Sequence, residues 1–292
     1  MKKNSMMKAA LAAVLAVVMV AGAGCSSGSN DTKKEENTEN TENTGDSAAT
    51  DGEEAGKLVI LDTEYASEDY AICVAKDNTE LLEQINTALA ELKADGVLDK
   101  IVAKYISGED YTLELAELPA DAGTLTMGTN ATFPPYEYYE NEKIVGIDAE
   151  VAEAIANKMG KQLVIEDMEF GSIIAAVQTG KIDMGMAGMT VTEERKQSVD
   201  FSDTYATGIQ SIIVMSDSPI KSVDDLYAEG ADYTVGVQQD TTGDIYATDD
   251  FGDDHVERYS KGADAVQALM TGKIDCVIID NEPAKAYVAA NN

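Results

Sequence analysis

From Lys57 onward, short apolar runs alternate with longer stretches whose apolar residues recur every three or four positions, which predicts an α/β protein. Leu58-Val59-Ile60-Leu61 and Ile72-Cys73-Val74 read as strands. Asp77, Asn78 and Thr79 can cap a helix with Leu82, Ile85, Leu89 and Leu92 on one face, stopped at Gly96, and a second helix carries Leu98, Ile101, Val102 and Tyr105. Residues 107–123 are polar and turn-forming around Pro119 and Gly123, so they read as a connector. A second run of elements follows. It has a strand at Leu125–Gly128, a loop with Pro134-Pro135 and a helix from about Asp148 to Met159. A strand at Leu163–Ile165, a helix at Ile173–Gln178 and a strand at Ile182–Met184 complete it. Gly208–Met215 is an apolar run long enough to pass between two subdomains.

One unit is used twice. Thr179-Gly180-Lys181-Ile182-Asp183 returns 92 residues later as Thr271-Gly272-Lys273-Ile274-Asp275, each time between a helix and a strand. That repetition predicts two similar α/β lobes facing a cleft.

The start of the chain has a different pattern. Lys2, Lys3 and Lys8 precede an apolar run from Ala9 to Ala23, shorter than the roughly 20 residues a spanning helix needs, so residues 1–24 read as a secretory signal. Cys25 behind Gly22-Ala23-Gly24 resembles the lipobox of bacterial lipoproteins, although Gly22 stands where leucine is usual; the resemblance implies that Cys25 is acylated and anchors the chain to the membrane. Residues 26–56 hold no Val, Leu, Ile or aromatic residue, so 25–56 is expected to be a disordered tether.

Charge and composition remove several functions. The net charge is −33, of which the signal contributes +3 and the tether −7, leaving −29 on the folded body. Nucleic-acid binding needs a basic surface and is excluded. One histidine and three cysteines leave little for a zinc site, a His-based triad or a disulfide scaffold, and neither a metal nor a cofactor is expected. Residues 240–254 carry six aspartates without calcium-loop spacing and read as an acidic, solvated loop. The body's acidity is read as solubility of an exposed protein.

The chemistry is concentrated in Gly188-Met189-Thr190-Val191-Thr192-Glu193-Glu194-Arg195. A glycine loop after a strand, a hydroxyl and an arginine at a helix start can hold a carboxylate through N–H donors and a two-pronged guanidinium. Asp280, at the end of the strand Cys276–Ile279, is placed to receive an ammonium, since open α/β sheets bind ligands at strand C-terminal ends. Alone, such an arginine ordinarily makes a surface ion pair and such an aspartate a turn cap. Together, on two lobes, they describe an α-amino acid site.

The blocks 128–138, 171–183, 187–205, 235–246 and 274–284 resemble those of the polar amino acid ABC transporter substrate-binding proteins (family 3) over essentially the whole body. The resemblance implies a type II, two-lobed periplasmic-binding-protein-like fold, hinged on two crossing strands at 69–76 and 206–214. It also implies capture of a polar L-amino acid by lobe closure and delivery to a membrane permease. Carried over, Arg195 with Gly188 and Thr190 would hold the ligand carboxylate and Asp280 its ammonium. Phe133 and Phe170 would sandwich the side chain, Asn130 would touch its polar end, and Thr242 would reach in from the second lobe. Asn130 is neutral where members taking cationic ligands often have an acid, which favours an uncharged side chain. Asp240 stands where the family commonly has glycine, which puts close backbone approach there in doubt.

The order of blocks departs from the family. The segment 69–106, which ends the chain in the family, comes first here, so the sequence reads as circularly permuted. Lobe 2 is then 57–68 with 210–292, and lobe 1 is 69–209, with the connector 107–123 joining the family's usual termini. A monomer is expected; the alternative is a dimer in which 69–106 swaps between molecules. Rival functions on the same fold are a cyclohexadienyl-dehydratase-like enzyme and a sensor module. The enzyme would need a general acid or base beyond Asp280, and no histidine or paired glutamate is placed for it.

Overall fold

The computed structural model describes residues 56–62 and 64–292. The signal, Cys25 and nearly all of the tether lie outside them. In chain order the elements begin with β1 (Leu58–Ile60), β2 (Ala66–Tyr70), β3 (Cys73–Ala75), α1 (Thr79–Ala94) and α2 (Val97–Ile106). After the connector come β4 (Thr124–Thr129), β5 (Thr132–Phe133), β6 (Glu137–Glu140), β7 (Lys143–Val145), α3 (Ile147–Lys158), β8 (Gln162–Asp167), α4 (Ile173–Gln178) and β9 (Met184–Gly185). The rest is β10 (Val199–Phe201), β11 (Ala206–Met215), α5 (Val223–Leu226), β12 (Val235–Gln238), α6 (Thr242–Phe251), β13 (Val256–Tyr259), α7 (Gly262–Met270), β14 (Cys276–Asp280) and α8 (Asn281–Asn291).

Two larger sheets organise these elements. One has the order β10-β3-β9-β4-β8, with β4 parallel to β8 and β9; the other runs β1-β11-β14-β12-β13, with β2 also paired to β11. The central strands β9, β12 and β14 are buried along their whole length, whereas β2 and β8 alternate buried or half-buried with exposed positions. Two segments cross between the sheets. β2 leads through Ala71 and Ile72 into β3, and β10 leads into β11. The pair β2/β11 runs antiparallel from Ala206 opposite Tyr70 to Gln210 opposite Ala66, so the crossings brace each other. β11 then continues past β14 and β1, pairing in both sections along its ten residues.

Local rules explain much of this. The Asn78 carboxamide accepts from Leu81 N–H and caps α1, whose buried stripe is Leu81, Ile85, Ala88, Leu89 and Leu92. Leu82 is only partly buried, one position off the expected face. The segment 69–106 packs on this same chain: β3 lies between β10 and β9, and α1 and α2 lie against α3. The connector has no helix or strand but is pinned. Asn157 accepts from Ala116 N–H and donates to Ala116 carbonyl, both at 2.9 Å, while Tyr111 and Leu113 pack on the core.

The repeated pentapeptide builds the same joint in both sheets. Gly180 and Gly272 end α4 and α7 at φ +69° and +68°, a left-handed conformation that glycine enters without strain. Asp183 then clamps Thr126 and Asp275 clamps Thr234. In each case the carboxylate accepts the threonine N–H at 2.7 Å while the aspartate N–H reaches the threonine carbonyl at 2.9 Å.

Three local expectations change. The strand expected at Ile182–Met184 starts two residues later because Ile182 and Asp183 complete the clamp. The acidic stretch expected as a loop holds the helix α6, capped by Thr241 and carrying Asp244 against Arg258 at 2.8 Å. The Pro-Pro loop leads into a three-stranded sheet, β5-β6-β7.

Candidate functional site

The C-terminal ends of β4, β9, β12 and β14 converge with the two crossings. Between the sheets lies a narrow cavity with room for about one water molecule. All eight residues singled out from the sequence line it: Asn130, Phe133, Phe170, Gly188, Thr190, Arg195, Thr242 and Asp280. Glu137, Ala187, Gln238 and Thr241 line it as well.

Arg195 is 7% exposed and begins a single 3-10 turn, Arg195–Gln197, rather than the regular helix expected there. Thr192 Oγ1 accepts its N–H and fixes the turn. Its guanidinium donates from Nη1 to Thr190 carbonyl at 2.8 Å and from Nη2 to Asp240 carbonyl at 3.0 Å, and lies 5.2 Å from the centre of the Phe170 ring. Among the described residues no carboxylate forms an ion pair with it. Burial lowers the guanidinium pKa, opposed first by the negative charge of Glu68. A buried cation with two N–H groups held by carbonyls and others to spare is a receptor for an anion.

Asp280, 7% exposed, ends β14 and precedes α8. Tyr70 donates its hydroxyl to Oδ1, and Gln210 lies opposite Asp280 in the β11/β14 register. Burial first, then the charge of Glu68, push its pKa up, and the Tyr70 hydroxyl and Gln210 pull it back. A carboxylate so placed gains most from a cation brought into the cavity.

Glu68 escaped the sequence reading. Its Oε2 accepts from Thr190 Oγ1 at 3.1 Å and Gln210 Nε2 at 3.0 Å, while Oε1 is buried without a donor. The signal was an acid alternating in phase with Tyr70 on a crossing strand, both of them buried. Thr190 and Thr242 place their hydroxyls 3.4 Å apart across the cleft.

At the other end, Asn130 is already engaged. Its Nδ2 donates to Met168 carbonyl, and its Oδ1 accepts from Thr132 Oγ1 and from Gln238 Nε2, the latter a 2.9 Å bond between the sheets. Gln238 Oε1 remains buried and unpartnered. Two expectations are corrected here. The Gly188 N–H donates to Asp148 Oδ2 at 2.8 Å, so it is not free to meet a carboxylate as expected. Asp240 takes the left-handed backbone, φ +65°, that a glycine would supply, which allows its carbonyl to approach Arg195.

The chain matches the model of the bacterial extracellular solute-binding proteins, family 3, over residues 3–108 and 125–286. The chain belongs to this family. Among family-3 relatives, it is 36% identical over 168 residues to the arginine-binding extracellular protein ArtP of Bacillus subtilis, covering 58% of this chain and 65% of that one. To a probable histidine-binding protein of Campylobacter jejuni it is 30% identical over 169 residues, 58% of this chain and 64% of the other. The chain thus spans just under two thirds of the length of these relatives. The arginine-bound, truncated ArgBP of T. maritima is 42% identical and superposes with a TM-score of 0.54 over 58% of this chain and 79% of that one. The mixed α/β fold is therefore that of the solved family-3 binding proteins.

Proposed function

We propose that this family-3 protein is the extracytoplasmic substrate-binding component of an amino acid ABC importer, capturing a polar L-amino acid in the cavity between its two sheets. The observation that carries this reading is the pairing of Arg195 and Asp280, opposite charges buried in one cavity with aromatic rings between the sheets. Arg195 with Thr190 takes the α-carboxylate, and Asp280 takes the α-ammonium. Phe133 and Phe170 flank the side chain, Asn130 and Gln238 meet its end, and Thr242 closes from the second sheet. Closure bends the β2–β3 and β10–β11 crossings and presents the closed form to a permease. The protein acts as a binder, not an enzyme, and works as a monomer anchored through Cys25. The names of its relatives favour a basic amino acid, whereas the neutral Asn130 favours an uncharged one; a screen decides.

We also read the chain as circularly permuted. In support, Asn292 accepts from Leu58 N–H and donates to Leu58 carbonyl, both at 2.8 Å, so the last residue lies beside β1 where the family's chain would run on.

Titration calorimetry with the twenty common L-amino acids tests the function. At least one is expected to bind, and Arg195→Ala is expected to weaken it by roughly 100-fold, since removing one partner of a buried charge pair costs about 2–5 kcal/mol. Absence of binding to all twenty, or full affinity in Arg195→Ala, overturns the reading.

A further inference from the structure

Behind the cavity wall sit two carboxyl groups that ligand capture does not use. Glu137, 1% exposed at the start of β6, lines the cavity, and Asp148, fully buried in the first turn of α3, lies behind it. Asp148 Oδ2 accepts from Gly188 N–H and from Tyr205 Oη, each at 2.8 Å. Asp148 Oδ1 and Glu137 Oε2 are both buried and have no hydrogen-bond partner. Two carboxylates are acceptors only and cannot bond each other; one proton between them makes a donor and an acceptor. Left ionised and unpartnered, the two oxygens would each carry a desolvation cost as well as mutual repulsion.

We propose that Glu137 and Asp148 share one proton and act together as positioning residues, fixing the Gly188 amide and, through it, the Gly188–Arg195 loop at the carboxylate end of the cavity. The ligand-facing half of this statement rests on the function proposed above. The surroundings fit a neutral acid beside a single anion. Tyr136 immediately precedes Glu137, Tyr205 precedes β11, and Asp280 and Tyr287 interact electrostatically with Glu137 from β14 and α8. None of these is a cation. Burial, then the charge of Asp148, hold the Glu137 carboxyl well above the ordinary range. Burial raises Asp148 to about 6, restrained by Gly188 N–H, the Tyr205 hydroxyl and Glu137 itself. Carboxyl pairs that share a proton for this reason are a recognised pattern.

The ligand-free wild-type protein decides the matter by NMR. The side-chain carboxyl 13C resonance of Glu137 is expected at the protonated position at pH 7, and the Gly188 amide proton is expected to follow the titration of Asp148 near pH 6. An ionised Glu137 at pH 7, or a Gly188 amide indifferent to pH, overturns the proposal. Glu137→Gln keeps a donor but not a titrating proton. Because the folded pKa of Glu137 is raised, its stabilisation is full below the unfolded carboxylate value and is lost as pH climbs toward the folded one. The wild-type fall in Tm from pH 5 to pH 9 is therefore expected to flatten in Glu137→Gln, and an unchanged slope counts against the shared proton. The amino acid titrations on wild type stand apart: no binding there sinks the ligand reading, while the resonances still decide the pair.

Discussion

Asp280 is subject to opposing demands that pH can separate. Burial and Glu68 raise its pKa to about 7, so the ligand-free protein holds a proton there that the unfolded chain does not. Its contribution to stability is present at low pH and is lost as pH rises through that value. A ligand ammonium needs the ionised form, so binding must displace the proton below neutrality. Affinity is expected to be on the order of 100-fold weaker at pH 5 than at pH 8, and calorimetry in Asp280→Asn should give a flat, weaker profile. A wild-type profile without slope would remove Asp280 from the ammonium site. Asp240 sets a different constraint. Asp tolerates the left-handed backbone at φ +65°, whereas a β-branched residue does not. Asp240→Val is expected to cost about 1–2 kcal/mol, read as a lowered Tm, with Asp240→Gly the better-tolerated replacement. Residue types with one dominant role were legible at this scale: Arg195, Asp280 and both phenylalanines reach the cavity. Glu68, Glu137 and Gln238 were not, because a polar residue on a strand gives no sign in sequence of whether it is buried, and only the crossing of two sheets makes these so.

At the scale of elements, the pentapeptide repeat was the most legible feature because its information is local. A glycine stop and an aspartate clamp need only neighbouring strands, and both copies fold alike. Nothing lies within 4 Å of a Cβ built on Gly180 or Gly272, so alanine there meets backbone strain but no clash. Gly180→Ala and Gly272→Ala are each expected to lower stability by about 1 kcal/mol, and the double variant by the sum, in urea denaturation. Unequal costs would show that the two joints are not equivalent. The β5-β6-β7 sheet was missed for the opposite reason. Its strands are two to four residues long and rich in tyrosine and glutamate, and only tertiary pairing distinguishes them from a loop. α6 was masked by its aspartates, poor helix formers whose cost is offset here by the Thr241 cap and the Asp244–Arg258 pair.

On the permuted reading proposed above, the whole molecule brings together chain ends that the usual family order keeps continuous. α8 packs along β1, and Asn292 closes a two-point bond with Leu58, so a short link from 292 to 57 would span a gap already bridged by side-chain contact. Apart from the Gly123 carbonyl at its end, which accepts Gln162 N–H of β8 at 2.8 Å, the connector 107–123 is held by the Asn157–Ala116 pair, by Tyr111 and Leu113 on the core and by Lys100 over the Tyr111 ring. Cutting there sacrifices those contacts and little else, while every strand keeps its neighbours. A rearranged chain that starts near residue 120, runs to 292, and passes through a flexible linker of a few residues into 57–106 is therefore expected to fold. It should bind the same amino acid as the natural order, with affinity within a few-fold, because the cavity walls and both crossings are unchanged. Its Tm is expected to fall modestly through loss of the connector's packing. The decisive comparison is calorimetry on both orders beside size-exclusion chromatography. Monomeric binding by both supports the permuted reading, whereas a rearranged chain that folds but no longer binds would mean that the connector itself shapes the site, and a natural order that elutes as a dimer would favour exchange of 69–106 between molecules.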